Sequence, residues 1–174
     1  RLCYTYKYDY RNRLIEKRLP GKDVEFIVYD ASDKVVATGP ALTPFGGQDT
    51  GWLMTKYDVF GRTAYTVWYP FEEFGNRQSV QGIRNSCHNG GQLSETRASN
   101  GSNIDGIDNV WSSDVFPQSR YVTLTINYYD NYDFPSGPGT LPSDVLNQNV
   151  TSSTKGLPTG TWVRALFGEQ IKTG

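Results

Sequence analysis

An all-β fold of consecutive antiparallel hairpins is predicted by three features of this 174-residue sequence. A Tyr-Asp-x-x frame closed by Asn, Asp or Gly occurs at Tyr8-Asp9-Tyr10-Arg11-Asn12-Arg13, Tyr29-Asp30-Ala31-Ser32-Asp33-Lys34 and Tyr57-Asp58-Val59-Phe60-Gly61-Arg62. It returns more loosely at Tyr129-Asp130-Asn131-Tyr132-Asp133-Phe134. The runs flanking these frames alternate apolar and polar residues, the period of a half-buried strand. Composition agrees, since 12 Tyr and 4 Trp against a single Met favour pleated strands over helices.

The frame has a physical reading. Its fifth position draws on the residue types that most readily accept positive φ, namely Asn12, Asp33, Gly61 and Asp133. In the first three copies a cation follows, Arg13, Lys34 or Arg62. An Asp four residues before that cation can fold its carboxylate back onto the N–H groups of the turn. These requirements describe a type I turn followed by a left-handed residue, the three-residue hairpin loop with a bulge.

Taken in order, residues 1–69 hold three such hairpins. Tyr4-Thr5-Tyr6-Lys7-Tyr8 enters the first turn and Leu14 to Leu19 leaves it. Val24, Phe26 and Val28 share one face of the strand entering the second turn. Trp52 to Tyr57 enters the third, and Thr63 to Tyr69 leaves it. A lone hairpin has one face to bury and no partner, so the units are expected to pair edge to edge and to stack their tyrosines in rows. Gly39 to Gly47 reads as a breaker-rich loop.

Residues 70–120 break the pattern and read as an insertion. Asn76 is placed to cap a short helix running to about His88, with Val80, Ile83 and Cys87 on one side. His88-Asn89-Gly90-Gly91 and Ser99-Asn100-Gly101-Ser102-Asn103 read as exposed turns, and the stretch 77–106 as incompletely ordered. Residues 121–174 return to the theme. Val122, Leu124, Ile126 and Tyr128 share one face of a strand, and Tyr121, Thr123, Thr125 and Asn127 the other. Phe134 to Gly139 replaces the usual return strand with punctuation. Leu141 to Gly160 reads as loop with short strands at most, Thr161 to Phe167 as the last strand, and Gly168 to Gly174 as a connector.

The motifs carry a resemblance. Tyr8-Asp9-x-x-Asn12-Arg13-Leu14 and Tyr57-Asp58-x-x-Gly61-Arg62 resemble the YD repeat of the RHS family. Tyr6 to Ile15 with Leu19-Pro20-Gly21, and Thr123 to Asp130 followed by Lys155 to Thr161, are similar to the version in large surface proteins of Bacteroidota. The resemblance spans most of 1–69 and 121–166. It implies a spiralling β-shell that winds around a C-terminal toxin or effector polypeptide, a secreted or cell-surface location, and export by type IX secretion machinery. The partners it implies are further YD repeats of the same longer chain, that machinery and the enclosed polypeptide. The family's Asp-based self-cleaving terminator and variable tail are absent from these residues, so the resemblance assigns neither proteolysis nor toxicity to them. The chain is expected to be a piece of something longer, since it opens with a strand pattern already under way.

Other function classes find little support. A net charge of −1 leaves no electrostatic footprint for nucleic acid, and no apolar run is long enough to span a membrane. Cys3 and Cys87 are too few for a disulfide framework. His88 beside Cys87 lacks an orienting third group, and Glu72-Glu73 are backbone neighbours that do not straddle a sugar bond. Asp9, Asp30, Asp58 and Asp130, spread along a line of repeats, are explained by turns and do not converge as calcium ligands must. No cofactor, metal or catalytic group is assigned. The tryptophans Trp52, Trp68, Trp111 and Trp162 and the tyrosines allow two readings, core packing between hairpins or an exposed platform for a carbohydrate- or cell-wall-binding β-module.

Overall fold

The computed structural model describes residues 3–70, 76–88, 92–150 and 153–165, with the side chains of residues 87, 88, 99 and 100 left outside that description. The chain is mostly β. Among the described residues its strands are β1 (Thr5–Tyr8), β2 (Leu14–Arg18), β3 (Val24–Tyr29), β4 (Val35–Leu42), β5 (Thr50–Tyr57), β6 (Thr63–Pro70), β7 (Arg97–Ile104), β8 (Ile107–Trp111), β9 (Val122–Tyr129), β10 (Asp144–Val145), β11 (Gln148–Asn149) and β12 (Pro158–Val163), with one helix, α1 (Arg77–His88). Eight strands form a single antiparallel sheet in the order β1-β2-β3-β4-β5-β6-β9-β12. The order follows the chain, interrupted by α1 with the β7–β8 hairpin and by a loop holding β10–β11.

The three ribbons lie edge to edge. Between the first and second, Glu16 pairs Phe26 and Arg18 pairs Val24. Between the second and third, Ala37 pairs Met54 and Leu42 pairs Thr50. The fourth joins through Tyr65 with Ile126 and Val67 with Thr123. Period-2 alternation places Val28, Ala37, Met54 and Val67 on one face, which α1 and the β7–β8 hairpin cover through Val80, Ile104, Val110 and Trp111. The opposite face is more polar, and Thr66 and Thr125 join hydroxyls across it at 2.7 Å.

Helix α1 starts where Asn76 Oδ1 accepts the Ser79 N–H at 2.9 Å, a side-chain cap on an otherwise unpaired donor. Val80 is fully buried and Ile83 partly so, while Cys87 lies outside the described side chains. The helix also completes the sheet. Backbone pairing between β2 and β3 stops at Glu16–Phe26. Beyond it, Arg77 Nε donates to Ile27 O at 2.8 Å and Gln81 Nε2 to Tyr29 O at 2.8 Å. The Tyr29 N–H in turn donates to Gln81 Oε1 at 3.3 Å. Two helical side chains thus stand in for a neighbouring strand.

Four expectations are corrected. The segment Ser99 to Asn103 is not a free turn but part of β7, with Gly101 at φ 75° absorbing an irregularity between Arg97 and Ser102. Gly39-Pro40 lies inside β4, because Gly39 lets the Trp52 ring lie against the backbone, and the loop is confined to 43–49. A shift of register at Thr66/Val67 changes the phase of β9, so Thr123, in place of Leu124, joins Ile126 and Tyr128 in the buried set. The last strand begins at Pro158, earlier than Thr161. Residues 89–91, Glu72-Glu73 and the proposed connector 168–174 lie outside the described residues.

Candidate functional site

The site is the row of Tyr-Asp turns along one end of the sheet. Each of the first three closes in the same way. The N–H groups of Asp9, Asp30 and Asp58 donate to the carbonyls of Arg13, Lys34 and Arg62 at 3.0, 2.9 and 2.9 Å. Asn12, Asp33 and Gly61 have φ of 60°, 62° and 80°. Each Asp Oδ1 accepts two turn N–H groups, Arg11 and Arg13, Ser32 and Lys34, or Phe60 and Arg62. The carboxylates are thereby committed to their own backbones, and among the described residues no three His, Cys, Asp or Glu side chains cluster as a metal site.

The tyrosine and the cation have a second role, between hairpins. The Arg13 guanidinium lies over the Tyr29 ring at 4.7 Å, Lys34 Nζ over Tyr57 at 5.1 Å and the Arg62 guanidinium over Tyr129 at 4.3 Å. Each of those tyrosines donates its hydroxyl to the carbonyl of the residue directly after the cation. The pairs are Tyr29 to Leu14 at 2.9 Å, Tyr57 to Val35 at 2.7 Å and Tyr129 to Thr63 at 3.0 Å. A rung therefore consists of a cation over a ring and a phenol on a carbonyl, and every hairpin junction has one. Anions strengthen two of them: Arg13 Nη1 meets Asp33 Oδ1 at 2.6 Å, and Arg62 holds Asp130 through both terminal nitrogens at 3.0 and 2.8 Å. At the remaining rung the fifth position is Gly61, and a Cβ there would lie 2.7 Å from Lys34 Nζ. In place of the expected stacking of tyrosines, a cation of the preceding hairpin lies on each of these three rings.

The ionisable groups respond to this packing. Burial raises the Tyr29, Tyr57 and Tyr129 phenols above their ordinary range, against the opposing pull of Arg13 at Tyr29 and of Arg62 at Tyr129. The Arg62 hydrogen bonds, with the Gly156 N–H, hold the Asp130 carboxyl down at about 2. For Asp9, desolvation opposes ionisation, but the Arg13 N–H and guanidinium and the Arg11 N–H lower it overall.

The fourth turn is assembled differently. Asp130 itself has φ of 72°, and its N–H donates to Leu157 O at 3.0 Å. Its carboxylate Oδ1 accepts the Gly156 N–H at 2.6 Å, and Gly156 has φ of 83°. Tyr129 pairs with Pro158, just as Tyr8, Tyr29 and Tyr57 pair with Leu14, Val35 and Thr63. Gly156 thus fills the left-handed position expected of Asp133, and Leu157 stands where a cation stands in the other three. Asp133 is exposed and its N–H is held by Asn131 Oδ1 at 3.0 Å. The sequence frame at 129–134 marks the first half of a turn whose second half lies a loop away.

A second cluster pins the insertion to the sheet. Lys56 and Glu95 are 1 % and 0 % exposed, so neither ion is solvated by bulk water. Lys56 Nζ donates to Glu95 Oε1 at 3.1 Å, Tyr65 Oη at 3.1 Å and Val115 O at 2.6 Å. Glu95 also accepts from Tyr65 Oη at 2.9 Å, Ser112 Oγ at 2.7 Å and the N–H groups of Asp114 and Val115. Its own N–H donates to Tyr57 O at 2.7 Å. Burial lowers the Lys56 ammonium to about 8 despite Glu95, and raises the Tyr65 phenol. Sequence reading missed this pair, although Lys56 falls in step with Trp52 and Met54 on the core face.

The tryptophans divide unequally. Trp52, Trp68 and Trp111 are buried and Trp162 is half-buried, whereas Tyr4, Tyr6, Tyr8 and Tyr10 are exposed. Cys3 is exposed with a free thiol. Among the described residues no helix is long and apolar enough to cross a membrane. No family model, curated protein or solved structure matches this chain.

Proposed function

We propose that this chain is a non-enzymatic structural segment of a secreted, cell-surface protein of the RHS/YD-repeat kind. In this reading it is a piece of the wall of a β-shell that encloses or carries a C-terminal toxin or effector and is exported by type IX secretion. The observation that supports it is the repeated rung, Tyr29, Tyr57 and Tyr129 each held by the preceding hairpin's cation and carbonyl. Such rungs stiffen a sheet one hairpin at a time, which is what an extensible wall requires. The test is to read the coding sequence on both sides and image the longer chain by electron microscopy. Further Tyr-Asp hairpins and a shell enclosing a protease-resistant polypeptide are expected; a free-standing module with lectin-like neighbours would overturn the reading.

A carbohydrate- or cell-wall-binding module is the rival, favoured by the exposure of Tyr6 and Tyr8 on β1 and of Tyr4 just before it. Burial of Trp52, Trp68 and Trp111 removes the larger aromatic platforms from that role. Retention on insoluble cell-wall or plant polysaccharide, lost on Tyr4→Ala with Tyr6→Ala, would favour the rival.

A further inference from the structure

The rungs have a direction. Each hairpin supplies a tyrosine to the one before it and a cation with its following carbonyl to the one after. Tyr29, Tyr57 and Tyr129 are covered in this way. Tyr8 opens the same frame, pairs with Leu14 in the same register and is 58 % exposed, and among the described residues no cation stands over it. Strand β1 is the terminal strand of the sheet, so its outer edge has no described neighbour. At the other end of the sheet β12 is also terminal, but Leu157 occupies the cation's place and is 54 % exposed.

We infer that the β1 edge is the receiving end of a one-way ladder, fitted to an antiparallel strand that begins directly after an arginine or lysine at its hairpin turn, and that the β12 edge lacks the cation to serve as donor for a second copy. The inference rests on the wall reading above and adds the partner's chemistry and the polarity of addition. The occupant follows from continuity with the junctions already present: a cation over Tyr8, and the next carbonyl accepting its hydroxyl. An uncharged strand would satisfy the backbone of β1 but leave the Tyr8 rung half made. A second copy offering its β12 edge would bring Leu157 to Tyr8.

The test repeats residues 3–23 once in tandem at the head of the full chain, with Cys3→Ser in both copies. The duplicated stretch restores, between its own Arg13 and the original Tyr8, the spacing that separates Arg13 from Tyr29. Amide hydrogen exchange of Thr5 to Tyr8 in the original strand is the readout, with the β5–β6 amides as a control for folding. Exchange at those amides is expected to slow by about tenfold or more. Arg13→Leu in the added copy alone, or Tyr8→Phe in the original, should return about threefold to tenfold of that protection. Protection that ignores both substitutions would overturn the ladder while leaving the wall reading intact. No protection at all, with the control amides unchanged, would show that the edge receives no such strand and overturn the inference. Head-to-tail assembly of the unmodified chain at micromolar concentration by analytical ultracentrifugation would also overturn it, whereas a monomer is expected.

Discussion

Replacing Glu95 with alanine tests how the insertion is held to the sheet. The carboxylate accepts hydrogen bonds from Lys56, Tyr65, Ser112, Asp114 and Val115, and no solvent reaches it. Truncation leaves the Lys56 ammonium buried, with Tyr65 Oη and Val115 O as its remaining acceptors. Breaking a buried pair from one side costs about 3–5 kcal/mol, mostly the penalty of the stranded charge. For a domain of this length, that corresponds to a fall in Tm of roughly 10 °C. Lys56→Met with Glu95→Leu removes the stranded charge as well, and should recover about half or more of the loss. Urea denaturation followed by tryptophan fluorescence reads both, since Trp111 belongs to the inserted hairpin and Trp52 to the sheet. The reasoning fails if Glu95→Ala costs under about 1 kcal/mol, or if the double variant is no more stable than the single one.

Four further outcomes are expected. Tyr57→Phe should cost about 1 kcal/mol in chemical denaturation through loss of the bond to Val35 O, while Tyr10→Phe, at a fully exposed ring, should stay within about 0.5 kcal/mol. Gly39→Ala should destabilise by about 1–3 kcal/mol, because the new Cβ would stand 2.8 Å from the Trp52 ring. Stability should rise with pH between about 8 and 10, because Lys56 is lowered from 10.5 to about 8 on folding and the unfolded chain therefore binds more protons in that window. Above pH 10 it should fall, since Tyr29, Tyr57, Tyr65, Tyr121, Tyr128 and Tyr129 are raised from 10.0 and their contribution is lost as pH climbs through the folded values. Lys56→Met should flatten the rise and spare the fall in urea titrations across that range. On the acid side, Asp130 is lowered from 3.8 to about 2, so its contribution is complete above pH 3.8 and lost as pH drops through 2; Asp130→Asn should abolish that part of an acid titration.

How much of this was legible depends on how far apart the cooperating residues lie. The first three turns could be read because every bond that closes them lies within five consecutive residues, from Asp9 to Arg13, Asp30 to Lys34 and Asp58 to Arg62. The Asn76 cap is local in the same sense. The rungs could not be read, since Arg13 and Tyr29 or Arg62 and Tyr129 meet only after the strands have paired. Gly101 misled because a positive-φ glycine suits a turn and a strand irregularity alike. Gly39-Pro40 misled because its value lies in the room left for Trp52, which no neighbouring residue announces. Lys56 did carry a signal: a cation in step with Trp52 and Met54 demands a buried partner, though nothing local named Glu95.

The closure of Asp130 onto Gly156 and Leu157 makes residues 131–155 a detour hung from a finished corner. Holding the ends of so long a tether together costs about 2 kcal/mol more chain entropy than a three-residue link would. Shortening it recovers part of that cost only where Phe134, stacked on Tyr128 at 4.3 Å, and Thr154, which donates to Asp130 O at 2.6 Å, are kept, so the exposed residues 142–149 are the ones to trim. By the same arithmetic, a foreign segment of equal length in place of the exposed residues 142–149 costs little chain entropy, which makes that tip a mounting point for a displayed peptide.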